Sequence, residues 1–358
     1  MSQAYVGQPP RGRGSSGNPP NRFEKLHYEV IPAELSEDPE PDERAVATQV
    51  LRDVSRSIIT YNDSPDVGFR ASVNPYRGCE HGCSYCYARP THEYLGFSAG
   101  LDFETRLLVK EDAPELLRRE LSSPRWTPQT VVMSGVTDCY QPIERRFQLT
   151  RRCLEVFVEL RNPVATITKN ELVTRDLDLL ADLASDHAAA SFLSITTLDP
   201  ELSRRMEPRA SIPERRLAAL QALAEAGVPC GVMIAPVIPG LNDHEIPAIL
   251  AAAYSMGARI AGYVPLRLPF AVAPLFETWL EQHLPLRKEK VLNRIRSMRG
   301  GKLNDPSFGS RMKGEGAYAE QIAALFAVSS RKVGFTARFP ALSAAAFRKP
   351  KGPQLSLF

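Results

Sequence analysis

Between about residues 70 and 265 the chain alternates short apolar runs with longer stretches of helical period. The runs at 70–74, 131–134 (Val-Val-Met-Ser), 164–168 (Val-Ala-Thr-Ile-Thr), 192–196 (Phe-Leu-Ser-Ile-Thr), 231–235 and 259–264 read as buried strands. Helical patterns fall near 112–121, 146–161, 174–185, 213–226 and 243–256. The 213–226 pattern carries the fullest signals. Ser211 and Glu214 form an S-x-x-E capping box, Leu217, Leu220 and Ala224 share a face, and Gly227 ends it before Pro229. Strands alternating with helices specify a parallel sheet with right-handed crossovers. With six strands and a distinctive loop after the first, the α/β pattern fits a partial (β/α)6 barrel, whose chemistry sits at the C-terminal strand ends.

Outside that core the pattern changes. Residues 1–22, rich in Gly, Pro, Ser and Asn, lack the apolar surface to fold and read as a disordered tail, either inert or a phosphate-contacting arm. Residues 34–43 carry six acidic side chains among two prolines and read as an exposed linker. The expected layout is therefore a disordered N-terminal segment and linker over 1–45 and a barrel over 46–270. A helical flank over 271–340 follows, with helices near 274–283, 286–299 and 317–331, and then a flexible tail over 341–358. The face that the flank covers cannot be assigned from periodicity.

At 358 residues and 43% apolar the chain can bury a sizeable core, and a net charge of +3 does not by itself imply nucleic-acid binding. No apolar run approaches the roughly 20 residues of a membrane helix. Six cysteines in a chain this long are no disulfide framework. With no signal peptide, they point to a reducing, cytoplasmic setting.

Three of those cysteines define the distinctive loop. Cys79, Cys83 and Cys86 form C-x3-C-x2-C, with Gly78 and Gly82 before the first two and Tyr85 before the third. Glycines let such a loop fold back on itself and aim three thiolates at one point, leaving a metal position open. A structural zinc knuckle with His81 or His92 as fourth ligand is the alternative. The absence of a second Cys/His half-site favours an iron–sulfur cluster. Cys139, Cys153 and Cys230 are scattered.

Polar residues crowd the other strand ends. The second strand runs into Ser134-Gly-Val-Thr-Asp138-Cys139-Tyr-Gln-Pro, more polar groups than a turn requires, although ordinary turn chemistry would also use Ser134 and Thr137. The third ends Thr168-Lys169-Asn170, where a lysine is either a solvated charge or a cleft residue. The fourth contains Ser194. The fifth ends in a Pro/Gly turn where backbone could approach a ligand closely.

C-x3-C-x-aromatic-C resembles the signature of the radical S-adenosylmethionine (radical SAM) enzymes. The resemblance implies a [4Fe-4S] cluster on Cys79, Cys83 and Cys86 whose fourth iron chelates SAM. It also implies reductive cleavage of SAM to a 5′-deoxyadenosyl radical, and an electron donor such as flavodoxin or ferredoxin. Pro75-Tyr-Arg-Gly-Cys, Cys86-Tyr-Ala-Arg89, Thr168-Lys169, Phe192-x-Ser-Ile, Glu207-Pro and Ile234-Ala-Pro are similar to spore photoproduct lyase and its relatives. Gly12-Arg-Gly, Asn18 to Phe23 and Asp138-x-Tyr-Gln-Pro resemble an uncharacterised bacterial branch of that group. The resemblance spans about residues 11–265. It implies SAM contacts from Tyr85 along the adenine, from Ser134 and Asp138, and from Lys169 and Ser194 at the methionine end. Tyr87 matches an aromatic position near the lyase's substrate. The lyase's hydrogen-donating cysteine aligns with Gly135, so Cys139 either serves from a shifted position or is an ordinary buried cysteine, and photoproduct repair is not implied.

The last residues, Gln354-Leu-Ser-Leu-Phe358, resemble the peptide by which bacterial polymerases and repair proteins dock on the sliding clamp, and so turn the substrate question toward DNA. A radical SAM enzyme acting on a protein or small molecule, and a non-catalytic iron–sulfur binding protein, remain the alternatives.

Overall fold

The computed structural model describes residues 10–24, 46–335 and 341–349. Its strands are β1 (Gln49–Arg52), β2 (Ile59–Tyr61), β3 (Ala71–Val73), β4 (Tyr76–Arg77), β5 (Arg106–Val109), β6 (Val131–Met133), β7 (Val164–Thr168), β8 (Ala189–Ser194), β9 (Cys230–Val237) and β10 (Ile260–Pro265). The strands β3, β6, β7, β8, β9 and β10 pair in that spatial order, all parallel, and β2 adds antiparallel to the free edge of β3. These six parallel strands are the six runs that the apolar pattern predicts. β3, β6 and β8 are buried at every position, as strands covered on both faces must be.

The helices are α1 (Leu101–Thr105), α2 (Ala113–Leu121), α3 (Glu144–Phe147), α4 (Leu149–Leu160), α5 (Leu177–Ser185), α6 (Pro200–Met206), α7 (Pro213–Glu225), α8 (Ile246–Ser255), α9 (Val272–His283), α10 (Pro285–Ser297) and α11 (Gly316–Val333). The single helix expected over 146–161 is split at Gln148, which adopts a left-handed conformation (φ 52°) while the Glu144 carboxylate takes the Thr150 amide at 3.0 Å. The capping box expected at Ser211 is not formed. Ser211 Oγ accepts from the Glu171 amide and donates to Asn170 Oδ1, and Ile212 occupies the cap position. A tertiary partner outbids the local one.

A small sheet, β1-β5-β4, has no clear signal in the apolar pattern. It grips both ends of the cysteine loop, since β4 leads into Cys79 and β5 follows the loop's return. The helical flank covers the same region. Phe276, Trp279 and Leu280 of α9, with Val291, Leu292 and Ile295 of α10, form a second core with Cys83, Tyr85 and Met206.

Both ends of the described chain correct the compositional reading. Residues 10–24 pack on the cysteine loop, with Arg13, Ser15, Ser16 and Asn21 buried. Residues 341–349 are also placed: the Ser343 amide donates to His187 O and the Arg348 amide to Leu160 O, both at 2.9 Å. They therefore lie at the ends of α4 and α5 that feed the N-terminal ends of β7 and β8, with Phe347 against the main core. The pentapeptide 354–358 and the acidic stretch 34–43 lie outside the described residues. Among the described residues, no helix is long and apolar enough to cross a membrane.

Candidate functional site

The cysteine loop leaves the C-terminal end of β3 and is held at every turn. Gly78 and Gly82 have φ of +79° and +66°. A Cβ on Gly78 would stand 2.8 Å from Leu107 Cδ2 and 2.9 Å from Phe103 O, and one on Gly82 would stand 2.7 Å from Glu104 Oε2. Both positions therefore require glycine for space as well as for backbone angle. Gln141 bridges the loop, donating to Gly78 O at 3.1 Å and accepting from the Glu80 amide at 2.9 Å. Arg89, wholly buried, donates from Nε and Nη2 to Cys83 O at 3.0 and 2.9 Å and pairs with the buried Glu104 at 2.5 Å.

The N-terminal arm completes this shell. Gly14 N donates to Glu104 Oε2 and Arg13 Nη1 to Glu104 O, each at 2.9 Å. A Cβ on Gly14 would fall 1.6 Å from Gly82 O, so only glycine allows the two backbones to touch. Gly-Arg-Gly thus has a geometric reason that composition obscured.

Cys79 and Cys83 are buried and Cys86 is partly exposed. Burial raises their pKa values, most for Cys79, and nearby anions and the other cysteines add to the rise at Cys79 and Cys83. Backbone amides of His81 and Ala88 point at the Cys79 and Cys86 sulfurs, and Lys169 acts favourably on Cys83 and Cys86. Three clustered thiolates with amide donors and one nearby ammonium suit an iron–sulfur cluster, which accepts negative sulfur and is tuned by N–H···S contacts. Among the described residues no three His, Cys, Asp or Glu converge on a single-ion site.

Neither histidine serves the zinc alternative. His81 is buried between Asp138, 3.3 Å from Nδ1, and Asn170, 3.2 Å from Nε2. His92 Nε2 meets Arg106 O at 2.9 Å, with the ring against Phe97 and Phe103.

Beside the thiols stands a buried polar set from three strand ends. Tyr85 hydrogen-bonds its hydroxyl to Glu207, and Lys169 Nζ lies 5.9 Å from the Tyr85 ring centroid. Glu207 also accepts from Thr196 Oγ1 at 2.9 Å and pairs with Arg216. Burial pushes the Glu207 carboxyl up, but Arg216, Lys169 and the hydrogen bonds outweigh it and hold it below its ordinary value. Arg216 donates to Ser194 O at 2.9 Å and Ser211 O at 2.6 Å, fixing the end of β8. Lys169, Tyr85 and Ser194 are thus gathered around the cysteine loop. Glu207 and Arg216 were missed as site residues; Glu207-Pro was their only signal.

Asp138 and Ser134 are engaged within the chain. Asp138 Oδ1 accepts from Thr168 Oγ1 at 2.7 Å and Tyr140 N at 2.9 Å, and Oδ2 from Lys169 N at 2.8 Å. Burial works against its charge, yet His81 and these donors hold its pKa below the ordinary carboxylate value. Its acceptor capacity is spent tying the β6 and β7 ends to His81. Ser134, at φ 77°, accepts the Cys139 amide at 2.7 Å. Cys139 itself is fully buried in the main core, with its carbonyl taken by Thr150 Oγ1 at 2.6 Å. That burial removes it as a donor to a substrate in the cleft. Tyr87 is half-exposed at the loop's edge and donates to Gly135 O at 3.1 Å.

A six-stranded parallel sheet with three thiols on the loop after its first strand is the architecture of one enzyme class. The Radical SAM superfamily model matches residues 73–253, and the chain belongs to that superfamily. Its members use a [4Fe-4S] cluster and SAM. An uncharacterised protein of Mycobacterium tuberculosis is 37% identical over 251 residues, covering 68% of this chain and 72% of the relative. An uncharacterised protein of Methanocaldococcus jannaschii is 33% identical over 178 residues, covering 50% and 64%. Spore photoproduct lyase complexed with dinucleoside spore photoproduct superposes with a TM-score of 0.56 at 15% identity, over 80% of each chain. A doubly substituted variant of that lyase with bound AdoMet and the dinucleoside gives 0.57 at 16%, over 80% and 82%. At these identities the likeness is one of fold.

Proposed function

We propose that this protein is a radical SAM enzyme that acts on nucleic acid. The observation that carries the first half is the cysteine loop: three thiols, two of them buried, on a glycine-shaped backbone locked by Gln141, Arg89 and the N-terminal arm. In this reading Cys79, Cys83 and Cys86 hold a [4Fe-4S] cluster, and Tyr85, Lys169 and the β8 end at Ser194 hold SAM. A cluster held there would supply one-electron reductive cleavage of SAM, and with it radical chemistry on the substrate. The chain's own residues position SAM and exclude water. Lys169 offers its ammonium to the methionine carboxylate, Tyr85 presents its ring to the adenine, and the Glu207–Arg216 pair keeps both in place.

Support for the second half comes from the surface around the loop. Phe23, Tyr94, Phe270 and Tyr87 are 53%, 72%, 68% and 50% exposed, high values for rings that would normally seek a core. The Arg22 guanidinium stands 3.9 Å from the Phe270 centroid and 4.7 and 5.3 Å from Phe23 and Tyr94, while Arg267 stands 5.9 Å from Tyr87. Exposed ring faces interleaved with arginines suit unpaired bases and their phosphates. The C-terminal Gln354–Phe358 adds a second contact in this reading. Arg348 ties the chain to Leu160, leaving the pentapeptide a short tether from which to engage a sliding clamp.

The test is anaerobic incubation of reconstituted protein, dithionite and SAM with uniformly deuterated DNA or RNA. Deuterium in the 5′-deoxyadenosine is expected from one of the two. Vigorous SAM cleavage without transfer from either would return the enzyme to a protein or small-molecule substrate.

A further inference from the structure

The buried arginines Arg13, Arg89, Arg216 and Arg299 all donate to backbone carbonyls, and Arg89 and Arg216 also pair with carboxylates. Arg267 breaks that pattern. It stands two residues beyond the C-terminal end of β10, between Leu266 and Leu268, which anchor the backbone in the second core. Its Nε is shut off from water with no hydrogen-bond partner, and Nη1 reaches only Met312 Sδ, at 3.4 Å. A thioether is a weak acceptor, and a half-buried guanidinium left this bare is costly. Among the described residues no carboxylate pairs with it and Nη2 has no partner. The two acids whose charge reaches it are already engaged. Asp66 is taken by Arg311 Nε at 2.5 Å and the Gly309 amide at 2.7 Å, and Asp305 by the Ser307 amide at 2.9 Å. Burial and the neighbouring Arg311 charge push the Arg267 pKa down, the direction of a cation short of a partner.

Two rings indicate which anion completes it. The guanidinium stands 5.9 Å from the centroid of Tyr87, the half-exposed ring directly after Cys86. Three residues on, the exposed Phe270 holds a left-handed backbone at φ 50°, a conformation that bulky side chains rarely adopt. The connection from β10 to α9, Arg267-Leu-Pro-Phe270, thus presents a cation and a strained, exposed ring, with a second ring across from the cation. A cation alone would accept any anion. Rings beside it suit a chain whose bases alternate with phosphates. We infer that Arg267 is a substrate-binding residue that takes the internucleotide phosphate beside the nucleotide resting on Tyr87. This rests on the nucleic-acid reading above and narrows it. The substrate is a strand of at least two linked nucleotides, not a free base or nucleoside. The Nη edge of the guanidinium can offer N–H groups to both non-bridging phosphate oxygens, which a lysine ammonium cannot match. Because Tyr87 directly follows Cys86, fixing that phosphate fixes which nucleotide lies next to the cysteine loop.

Crossing the residue with the charge it would bind supplies the experiment. The dinucleotide TpT and its methylphosphonate analogue, whose linkage is neutral, compete with a fluorescent single-stranded oligonucleotide for reconstituted wild type, Arg267→Gln and Arg267→Lys. Wild type is expected to prefer TpT by about tenfold, and Arg267→Gln to bind the two within about twofold. Arg267→Lys, a point charge without the fork, should keep part of the preference. On the oligonucleotide itself, the slope of log affinity against log salt should flatten by about 0.7 in Arg267→Gln and hold in Arg267→Lys. Urea midpoints and cluster absorbance, read on the same samples, separate loss of the contact from loss of the fold. Equal binding of TpT and its analogue by wild type, or an undiminished preference in Arg267→Gln, would overturn the assignment and leave the nucleic-acid reading standing. Should Arg267→Gln fail to fold, the wild-type preference and the Arg267→Lys slope decide the matter. No binding of the oligonucleotide by wild type would remove the nucleic-acid reading, and the role of Arg267 with it.

Discussion

The cysteine loop and the aromatic rim are opposite in physical character. In the loop most polar groups are answered, the buried Ser84 hydroxyl excepted: Gln141 holds two backbone groups, Arg89 spans Cys83 and Glu104, and Asp138 joins His81 to the β7 end. At the rim, large rings stand in water beside arginines. Enclosure fixes thiolate geometry and limits solvent access, which a cluster-binding loop needs. Exposure costs the rim folding energy, and that cost is recovered only when something covers it.

If the loop is so determined, cutting its central tie should have the largest effect. Arg89→Ala leaves Glu104 buried without its cation and should destabilise the protein by about 3–5 kcal/mol, read by chemical denaturation. Stability unchanged within 1 kcal/mol, roughly the effect of an ordinary surface change, would mean that the loop does not depend on it.

A second way into the same shell is pH. Burial lowers the His92 pKa from 6.5 to about 4, against the partial offset of its bond to Arg106. Between those values the unfolded chain binds the proton and the folded chain refuses it, so stability should fall as pH falls through that window. The expected loss is about 2 kcal/mol between pH 7 and pH 5. His92→Gln, which keeps a donor but cannot titrate there, should flatten that limb in urea unfolding curves at the two pH values.

The rim should respond in the other direction. A Tyr94→Ala, Phe270→Ala double variant should keep its stability and cluster content yet lose about 1–3 kcal/mol of single-strand affinity for each stacked base, measured by fluorescence anisotropy. Undiminished binding would remove nucleic acid from the rim. The smallest expected change is at Lys169. Its replacement by Ala should weaken SAM binding about tenfold in equilibrium dialysis, with the cluster intact. Equal affinity would make it a charge with no ligand.

How much of this was legible follows the same division. The six parallel strands announced themselves because burial on both faces leaves continuous apolar runs, and the three cysteines because glycines surround them. The small β1-β5-β4 sheet did not, since its strands are short and mostly lie over other elements. The arm at 10–24 read as disordered because its order depends on Glu104 and Gly82, partners about seventy to ninety residues away. Asp138 and Ser134 stand at the expected strand end, where their side chains accept from Thr168, Tyr140, Lys169 and Cys139. Sequence marks a polar side chain there but not which of its neighbours reaches it first. Cys139, open in the sequence between a hydrogen donor in a shifted position and an ordinary buried cysteine, is fully buried, because one residue's turn decides between cleft and core.

The most direct test of the central claim is electron paramagnetic resonance of the anaerobically reconstituted, dithionite-reduced protein with and without SAM. Wild type is expected to give a reduced [4Fe-4S] signal that shifts when SAM is added and yields 5′-deoxyadenosine on warming. Cys79→Ala, Cys83→Ala and Cys86→Ala should each lose both, and Cys139→Ala should retain both. A cluster signal that survives all three replacements, or one that SAM leaves unmoved in wild type, would contradict the account.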